Sequence, residues 1–95
     1  MEDSLQKIRD KAVPILNQAG VVRSSLFGSV ARGEDTLESD IDILVEFPRG
    51  KSLFDLVALK MALEEALKKK VDVLTYRSIS PLLADIIKRD EVQIL

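Results

Sequence analysis

The sequence of 95 residues contains no cysteine and no histidine, and this absence removes several kinds of catalytic site. Disulfides, thiolate nucleophiles and imidazole bases cannot form, and the usual side-chain ligands of zinc and iron are missing. A metal bound by this chain must therefore be held by oxygen ligands, and a carboxylate is the economical choice for a general base.

Long apolar runs and an excess of positive charge are also absent. No apolar stretch approaches the roughly 18 residues that a membrane span needs, and the first residues lack the apolar segment of a signal peptide. The formal net charge of −2 provides no basic field for non-specific nucleic-acid binding. We therefore expect a cytoplasmic protein whose main partner is neither a membrane nor a long nucleic acid.

The composition is that of a folded protein, with 46% hydrophobic and 32% charged residues. The length suits one hydrophobic core, so we expect a single domain over residues 1–95. Apolar periodicity and turn residues predict an α+β fold, in which a small mixed sheet is flanked by helices. Helices are expected at residues 4–19 (kinked near Pro14), 53–67 and 81–90, and strands at 21–27, 40–47, 71–76 and 92–95.

Two aspartates interrupt the strand predicted at residues 40–47. Asp40 and Asp42 are two positions apart, so their side chains project from one face with α-carbons about 7 Å apart. Carboxylates this close repel each other unless a cation lies between them. Mg²⁺ is the natural candidate, because it prefers oxygen ligands and is commonly held by one or two carboxylates together with substrate phosphates.

A third acid, Asp72, lies in the middle of the strand predicted at residues 71–76. If this strand neighbours the one that carries Asp40 and Asp42, the three carboxylates can hold two metal ions roughly 3.5 to 4 Å apart. That arrangement stabilises the attacking and leaving oxygens of an in-line displacement at phosphorus. The implied reaction is phosphoryl or nucleotidyl transfer.

A phosphate chain also needs a cradle, and the turn at Gly28 and Ser29 is the candidate. Glycine allows close approach of the backbone, while free amides and a serine hydroxyl bind anions. Arg32 would add a charge-assisted contact to phosphate, whereas Ser39 is expected to hold its loop in place beside the bound nucleotide. The pattern of a Walker-type phosphate loop is absent, which disfavours conventional P-loop ATPase chemistry.

Together these elements resemble a known family. The segment GSVARGEDTLESDIDILVEF and the later VDV are similar to the signature of the DNA polymerase β-like nucleotidyltransferases, in which glycine-serine precedes an Asp-x-Asp pair by ten residues. The short chain and the GSxARG form look like the minimal nucleotidyltransferase (MNT) branch. The resemblance implies a polymerase β palm-like fold that binds two Mg²⁺ ions and uses a nucleoside triphosphate, ATP, as substrate.

The resemblance also implies roles for individual residues. Asp40 and Asp42 would bind both metals, and Asp72 would bind the catalytic metal and help to deprotonate the attacking hydroxyl. The triphosphate would be held by Gly28 and Ser29, together with Arg32.

Many MNT proteins pair with a HEPN-domain toxin. By resemblance, this chain would be an antitoxin that transfers AMP from ATP to a tyrosine hydroxyl of such a partner. Two other functions stay open: a non-catalytic module that neutralises a partner by occlusion, and a transferase acting on an antibiotic-type small molecule. Larger relatives add a domain that shapes the base pocket and holds the acceptor. We therefore expect either that this site is completed in a homo- or hetero-oligomer or that the chain is weakly active alone.

Overall fold

A computed structural model describes residues 4–31 and 40–95 of the chain. In these two ranges helices and strands alternate, as the sequence predicts. The elements, in chain order, are α1 (Ser4–Gln18), β1 (Arg23–Phe27), α2 (Gly28–Ala31), β2 (Ile41–Glu46), α3 (Leu53–Leu67), β3 (Val71–Thr75), a 3₁₀ turn (Tyr76–Ser78), α4 (Pro81–Asp90) and β4 (Val92–Gln93).

The four described strands form one mixed sheet in the order β3-β2-β1-β4. β1 pairs antiparallel with both β2 and β4, whereas β2 and β3 run parallel. The parallel pair requires a crossover, which α3 provides. The predicted α+β fold with a small mixed sheet is confirmed.

One face of the sheet builds the main core together with α1 and α3. Alternation along β2 points Ile41, Ile43 and Val45 into this core, where each is almost fully buried. Leu16 from α1 and Leu63 from α3 cover them and have no exposed surface. The opposite positions of β2 therefore face the other side of the sheet.

The helix α4 lies on that other side. The chain leaves β3 at one edge of the sheet and returns as β4 at the opposite edge, so the connecting helix must cross one face. Ile87 of α4 and Leu44 of β2 are both buried, yet neither belongs to the core that α1 and α3 form. We infer that α4 covers part of the face that carries Leu44 and, two positions earlier, Asp42.

Helix ends follow the capping residues in the sequence. Gly20 adopts a φ of +84° after α1. The backbone N–H of Ser52 donates a hydrogen bond of 2.8 Å to the Asp55 carboxylate at the start of α3, and this bond lowers the pKa of Asp55. At the start of α4 the Ser80 hydroxyl accepts a hydrogen bond of 3.2 Å from the Leu83 N–H.

Several boundaries differ from the sequence prediction by one or two residues. β1 begins at Arg23, although Val22 already donates a backbone hydrogen bond of 2.8 Å to Glu46. β2 begins at Ile41, so Asp40 precedes the strand. Tyr76 leaves β3 for the 3₁₀ turn. The helix α1 contains Pro14, as predicted, and ends at Gln18, one residue earlier than predicted. No helix within the described ranges is long and apolar enough to cross a membrane.

Candidate active site

Asp42 and Asp72 are register partners in the parallel β2–β3 pair. Directly opposed residues of neighbouring strands point to the same face, and the strands are about 4.8 Å apart. Both side chains are partly exposed. The sheet therefore places two carboxylates side by side on the face opposite the main core.

The turn at Gly28 lies against the Asp42 side chain. Phe27, the last residue of β1, pairs with Asp42, and Gly28 follows with a φ of +76°. A Cβ atom built on Gly28 would collide with the Asp42 carboxylate oxygen Oδ2 and lie 3.3 Å from its Cγ. Only glycine permits both this backbone conformation and this approach.

Two hydrogen bonds fix where the strands of the carboxylate pair begin. The Val71 N–H donates to the Glu64 side-chain oxygen Oε2 at 3.0 Å, which ties α3 to the first residue of β3. The Ile41 N–H donates to the Lys70 carbonyl at 3.0 Å. Asp42 and Asp72 each follow one of these anchored positions, so the anchors help to set the register of the carboxylates.

Polar and aromatic contacts occupy the other end of the same face. Tyr76 shares a hydrogen bond of 2.7 Å with Ser25, and the Arg23 guanidinium lies 4.1 Å from the centre of the tyrosine ring. Arg23 also forms an ion pair of 3.1 Å with Glu46. Burial raises the pKa of Tyr76, partly opposed by its hydrogen bond to Ser25.

The remaining predicted site residues are only partly covered by the structure. Asp40 is partly exposed just before β2. Arg32 and Ser39 lie outside the described residues, and Ser29 is described only as part of the α2 backbone. Within residues 4–31 and 40–95, no group of three or more acidic side chains is arranged to hold a metal ion. The roles of these residues, and the participation of Asp40 with the Asp42–Asp72 pair, stay predictions.

The chemistry of the paired carboxylates fits a divalent cation. Two like charges on adjacent strands repel each other, and a hard cation between them would relieve that repulsion. Mg²⁺ needs only one or two carboxylates when water and phosphate oxygens complete its octahedral shell. Asp42 and Asp72 therefore supply a suitable donor pair.

A large cavity lies elsewhere among the described residues. It has a volume of about 710 Å³ and lies at the carboxyl ends of β2 and β3, whereas Asp42 and Asp72 lie near the amino ends of these strands. Its lining includes Arg49, Lys51 and Arg77. Neither Asp42 nor Asp72 lines this cavity, so it is separate from the carboxylate pair.

Comparison with known proteins decides the family. A model of the nucleotidyltransferase domain matches residues 6–93. The chain belongs to this nucleotidyltransferase family. The predicted resemblance and the prediction of a nucleotidyltransferase enzyme are both confirmed.

Two relatives of this nucleotidyltransferase carry more specific names. A protein of Methanocaldococcus jannaschii, whose name proposes a protein adenylyltransferase, is 58% identical over 92 residues, covering 97% of this chain and 99% of that protein. The protein adenylyltransferase MntA of Thermococcus cleftensis is 36% identical over 75 residues, covering 79% of this chain and 76% of that protein.

Solved structures share the fold of this nucleotidyltransferase. A proposed minimal nucleotidyltransferase is 38% identical with a TM-score of 0.82, covering 94% of this chain and 91% of that one. A toxin–antitoxin structure with AMP-PNP is 27% identical with a TM-score of 0.81, covering 92% and 72%. A complex of a tri-AMPylated Shewanella oneidensis HEPN toxin with its MNT antitoxin is 25% identical with a TM-score of 0.75, covering 96% and 71%.

Two contacts on or beside the candidate site were not predicted from the sequence. Glu64 was not singled out, although its side chain accepts the hydrogen bond from Val71 at the start of β3. The pair of Ser25 and Tyr76 joins residues that are 51 positions apart. The sequence did contain an indication for Ser25. It is a polar residue inside a short strand, and a buried hydroxyl needs a hydrogen-bond partner.

Proposed function

We propose that this nucleotidyltransferase transfers AMP from ATP to a hydroxyl group of a partner protein, and that a tyrosine of a HEPN-domain toxin is the acceptor. In this proposal the chain acts in the cytoplasm as the antitoxin of the pair. The observation that carries the proposal is the side-by-side placement of Asp42 and Asp72 against the Gly28 turn.

The relatives support the type of reaction and of acceptor. The name of the Thermococcus cleftensis protein states transfer of an adenylyl group to protein. The Shewanella oneidensis complex contains a HEPN toxin that carries AMP groups, bound to an MNT antitoxin. The structure with AMP-PNP, an ATP analogue, supports ATP as the donor. These features favour protein AMPylation over modification of a small molecule.

The proposed reaction is an in-line displacement at the α-phosphorus of ATP. The acceptor oxygen forms a bond to that phosphorus, the bond to the bridging oxygen breaks, and pyrophosphate leaves with the electron pair. Two Mg²⁺ ions, when bound, would stabilise the charge that develops on the attacking and leaving oxygens. Asp72 takes the proton from the acceptor hydroxyl, since no histidine is present in the chain.

The other site residues bind and orient the nucleotide in this proposal. Asp42, with Asp40, would hold the Mg²⁺ ions in this proposal. The Gly28 turn approaches the phosphate chain closely because it carries no side chain. The Ser29 hydroxyl and the Arg32 guanidinium add hydrogen bonds to the same phosphates, and Ser39 orders the loop that follows.

Labelled ATP tests the proposal. The chain is incubated with ATP labelled at the α-phosphate, Mg²⁺ and a HEPN-domain toxin. We expect label on a tyrosine of the partner, lost on removal of Mg²⁺ by chelation and lost in Asp42→Asn. Asp85→Asn is the matched control, because Asp85 is an exposed carboxylate on α4, and it should retain transfer.

Other outcomes would replace the proposal with one of its rivals. Neutralisation of the partner that persists in Asp42→Asn, without label on either protein, would indicate occlusion. Label that appears on an aminoglycoside-type acceptor and not on the partner would indicate a small-molecule transferase.

A further inference from the structure

The cavity at the carboxyl ends of β2 and β3 follows from the topology of the sheet. The chain leaves β2 for α3, which packs on the main core, and leaves β3 for α4, which covers the opposite face. Neighbouring parallel strands whose connections diverge in this way leave a crevice beyond their carboxyl ends, where α/β folds bind their ligands. We call this cavity the switch-point cleft; it is lined by residues 45–53 and 75–77 together with Leu56.

The switch-point cleft carries an excess of positive charge. Arg49, Lys51 and Arg77 line it. Glu46 is the one acid among the lining residues that the structure describes, and it already forms the ion pair of 3.1 Å with Arg23. A cleft lined by charges of one sign concentrates ions of the opposite sign. The ligand that this cleft suits is therefore an anion.

The two arginines of the cleft differ from the lysine in their surroundings. The Lys51 ammonium group lies beside Gly20 at the carboxyl end of α1, where a cation is favourable to the helix dipole. Neither Arg49 nor Arg77 forms an ion pair within residues 4–31 and 40–95. Lys51 thus has a role inside the fold, and the arginines are the groups left to bind a ligand.

The chemistry of two guanidinium groups favours phosphate among the possible anions. Each guanidinium offers a planar fork of N–H donors that fits two oxygens of a phosphate or a carboxylate. A phosphate monoester carries nearly two negative charges and three acceptor oxygens, so it can satisfy two arginines at once. A single carboxylate has only one charge to share between them.

Part of the lining of the cleft is apolar. Phe47 and Leu56 are partly buried against the main core, while Leu53 lines the cleft with 73% of its surface exposed. Apolar walls with a few polar groups are typical of small-molecule sites, and the volume of about 710 Å³ lies within their usual range. The cleft therefore suits a phosphate that carries an organic group better than a bare ion.

We propose that the switch-point cleft binds a small organic phosphate, with the phosphate group on Arg49 and Arg77 and the organic group against the wall that includes Phe47. This inference does not depend on the proposed AMP transfer, because neither residue of the carboxylate pair lines the cleft. Failure of one proposal leaves the other standing.

Titration of the isotope-labelled chain with phenyl phosphate, followed by NMR, tests this site. The titration contains a chelator and no divalent cation, so that the carboxylate pair cannot bind the probe through a metal ion. We expect saturable shifts of the backbone amide signals of Gly50, Ser52 and Arg77. The amide signals of Asp42 and Asp72 should stay unchanged. Shifts centred on Asp42 and Asp72, or the absence of saturable shifts in the cleft, would overturn the proposal.

Charge-neutral variants measure the contribution of the two arginines. Arg49→Gln and Arg77→Gln should each raise the dissociation constant of phenyl phosphate at least about tenfold, because a charge-assisted contact is lost. Arg89→Gln is the matched control, since Arg89 is an exposed cation in the last turn of α4, outside the cleft. It removes the same charge and should leave binding unchanged. An equal loss in Arg89→Gln and Arg77→Gln would show only a general effect of net charge and would overturn the site.

Two further probes separate the parts of the ligand. Benzyl alcohol keeps the aromatic ring without the phosphate and should not bind the cleft, whereas inorganic phosphate should bind more weakly than phenyl phosphate. Binding of benzyl alcohol as tight as that of phenyl phosphate would overturn the role of the arginines. Equal affinity for inorganic phosphate and phenyl phosphate would overturn the assignment of an organic phosphate.

Discussion

Asp42 and Asp72 lie directly opposite each other on adjacent parallel strands, with both carboxylates on the face away from the main core. Like charges at directly opposed positions repel unless a cation or a hydrogen-bond donor lies beside them. The arrangement therefore suits a site that binds cations.

The first prediction concerns Asp72→Asn. We expect transfer of AMP to fall at least about 100-fold, because the amide cannot accept the proton of the acceptor hydroxyl. We also expect the melting temperature without divalent ions to stay the same or rise, since the repulsion with Asp42 is removed. Activity assays and thermal melts check the two effects on one preparation.

Magnesium provides the control for this prediction. Mg²⁺ should raise the melting temperature of the wild type, because a ligand stabilises the state that binds it. The increase should be much smaller for Asp72→Asn. Equal stabilisation of both proteins by Mg²⁺, or full activity of the variant, would contradict the assignment of Asp72.

The second prediction concerns Gly28→Ala. The new methyl group meets both a left-handed backbone conformation and the Asp42 carboxylate, so we expect a loss of about 1–3 kcal/mol in unfolding free energy and a loss of transfer activity. Gly50→Ala is the matched control, because Gly50 has a φ of +95° and open space around it. Gly50→Ala should lose only the cost of placing a side chain in a left-handed backbone conformation, about 1–2 kcal/mol of unfolding free energy, and it should keep its transfer activity. Similar activity in the two variants would show that the approach of Gly28 to Asp42 is unimportant.

The third prediction concerns Glu64, which accepts the hydrogen bond from the Val71 N–H next to Asp72. Glu64→Ala leaves that amide without its partner and should lower the unfolding free energy by about 1–3 kcal/mol. Glu64→Gln keeps a side-chain oxygen that can accept the hydrogen bond from Val71. Its unfolding free energy should therefore lie close to that of the wild type. Denaturant unfolding measures the stability, and amide hydrogen exchange at Val71 reports the local effect. Equal protection of Val71 in all three proteins would rule out this anchoring role.

The sequence predicted much of the fold because its strands follow simple alternation. Ile41, Ile43 and Val45 predict one buried face of β2, and the acids between them predict the other. From the sequence we could predict that the strands carrying Asp42 and Asp72 are neighbours, but not that these two residues lie directly opposite each other. The register depends on contacts such as the hydrogen bond from the Ile41 N–H to the Lys70 carbonyl.

Buried serines show where pattern reasoning reaches its limit. Ser24 and Ser25 are polar residues in a short strand, and both are almost fully buried. Ser24 donates to the Leu44 carbonyl at 2.8 Å, while Ser25 bonds to Tyr76, so each hydroxyl is satisfied inside the fold. These partners are 20 and 51 positions away in the chain. Local periodicity contains no information on such pairs.

The last prediction concerns the pH dependence that Tyr76 contributes. Burial raises the pKa of Tyr76 in the folded chain above its usual value near 10, so the unfolded state loses this proton first as pH rises. The stabilisation is therefore fully present below about pH 10 and is lost as pH rises through the folded-state pKa. Because the chain has a single tyrosine, absorbance at alkaline pH follows this group alone. In Tyr76→Phe, stability should fall less steeply above about pH 10 than in the wild type; identical slopes would show that Tyr76 ionises equally easily in the two states.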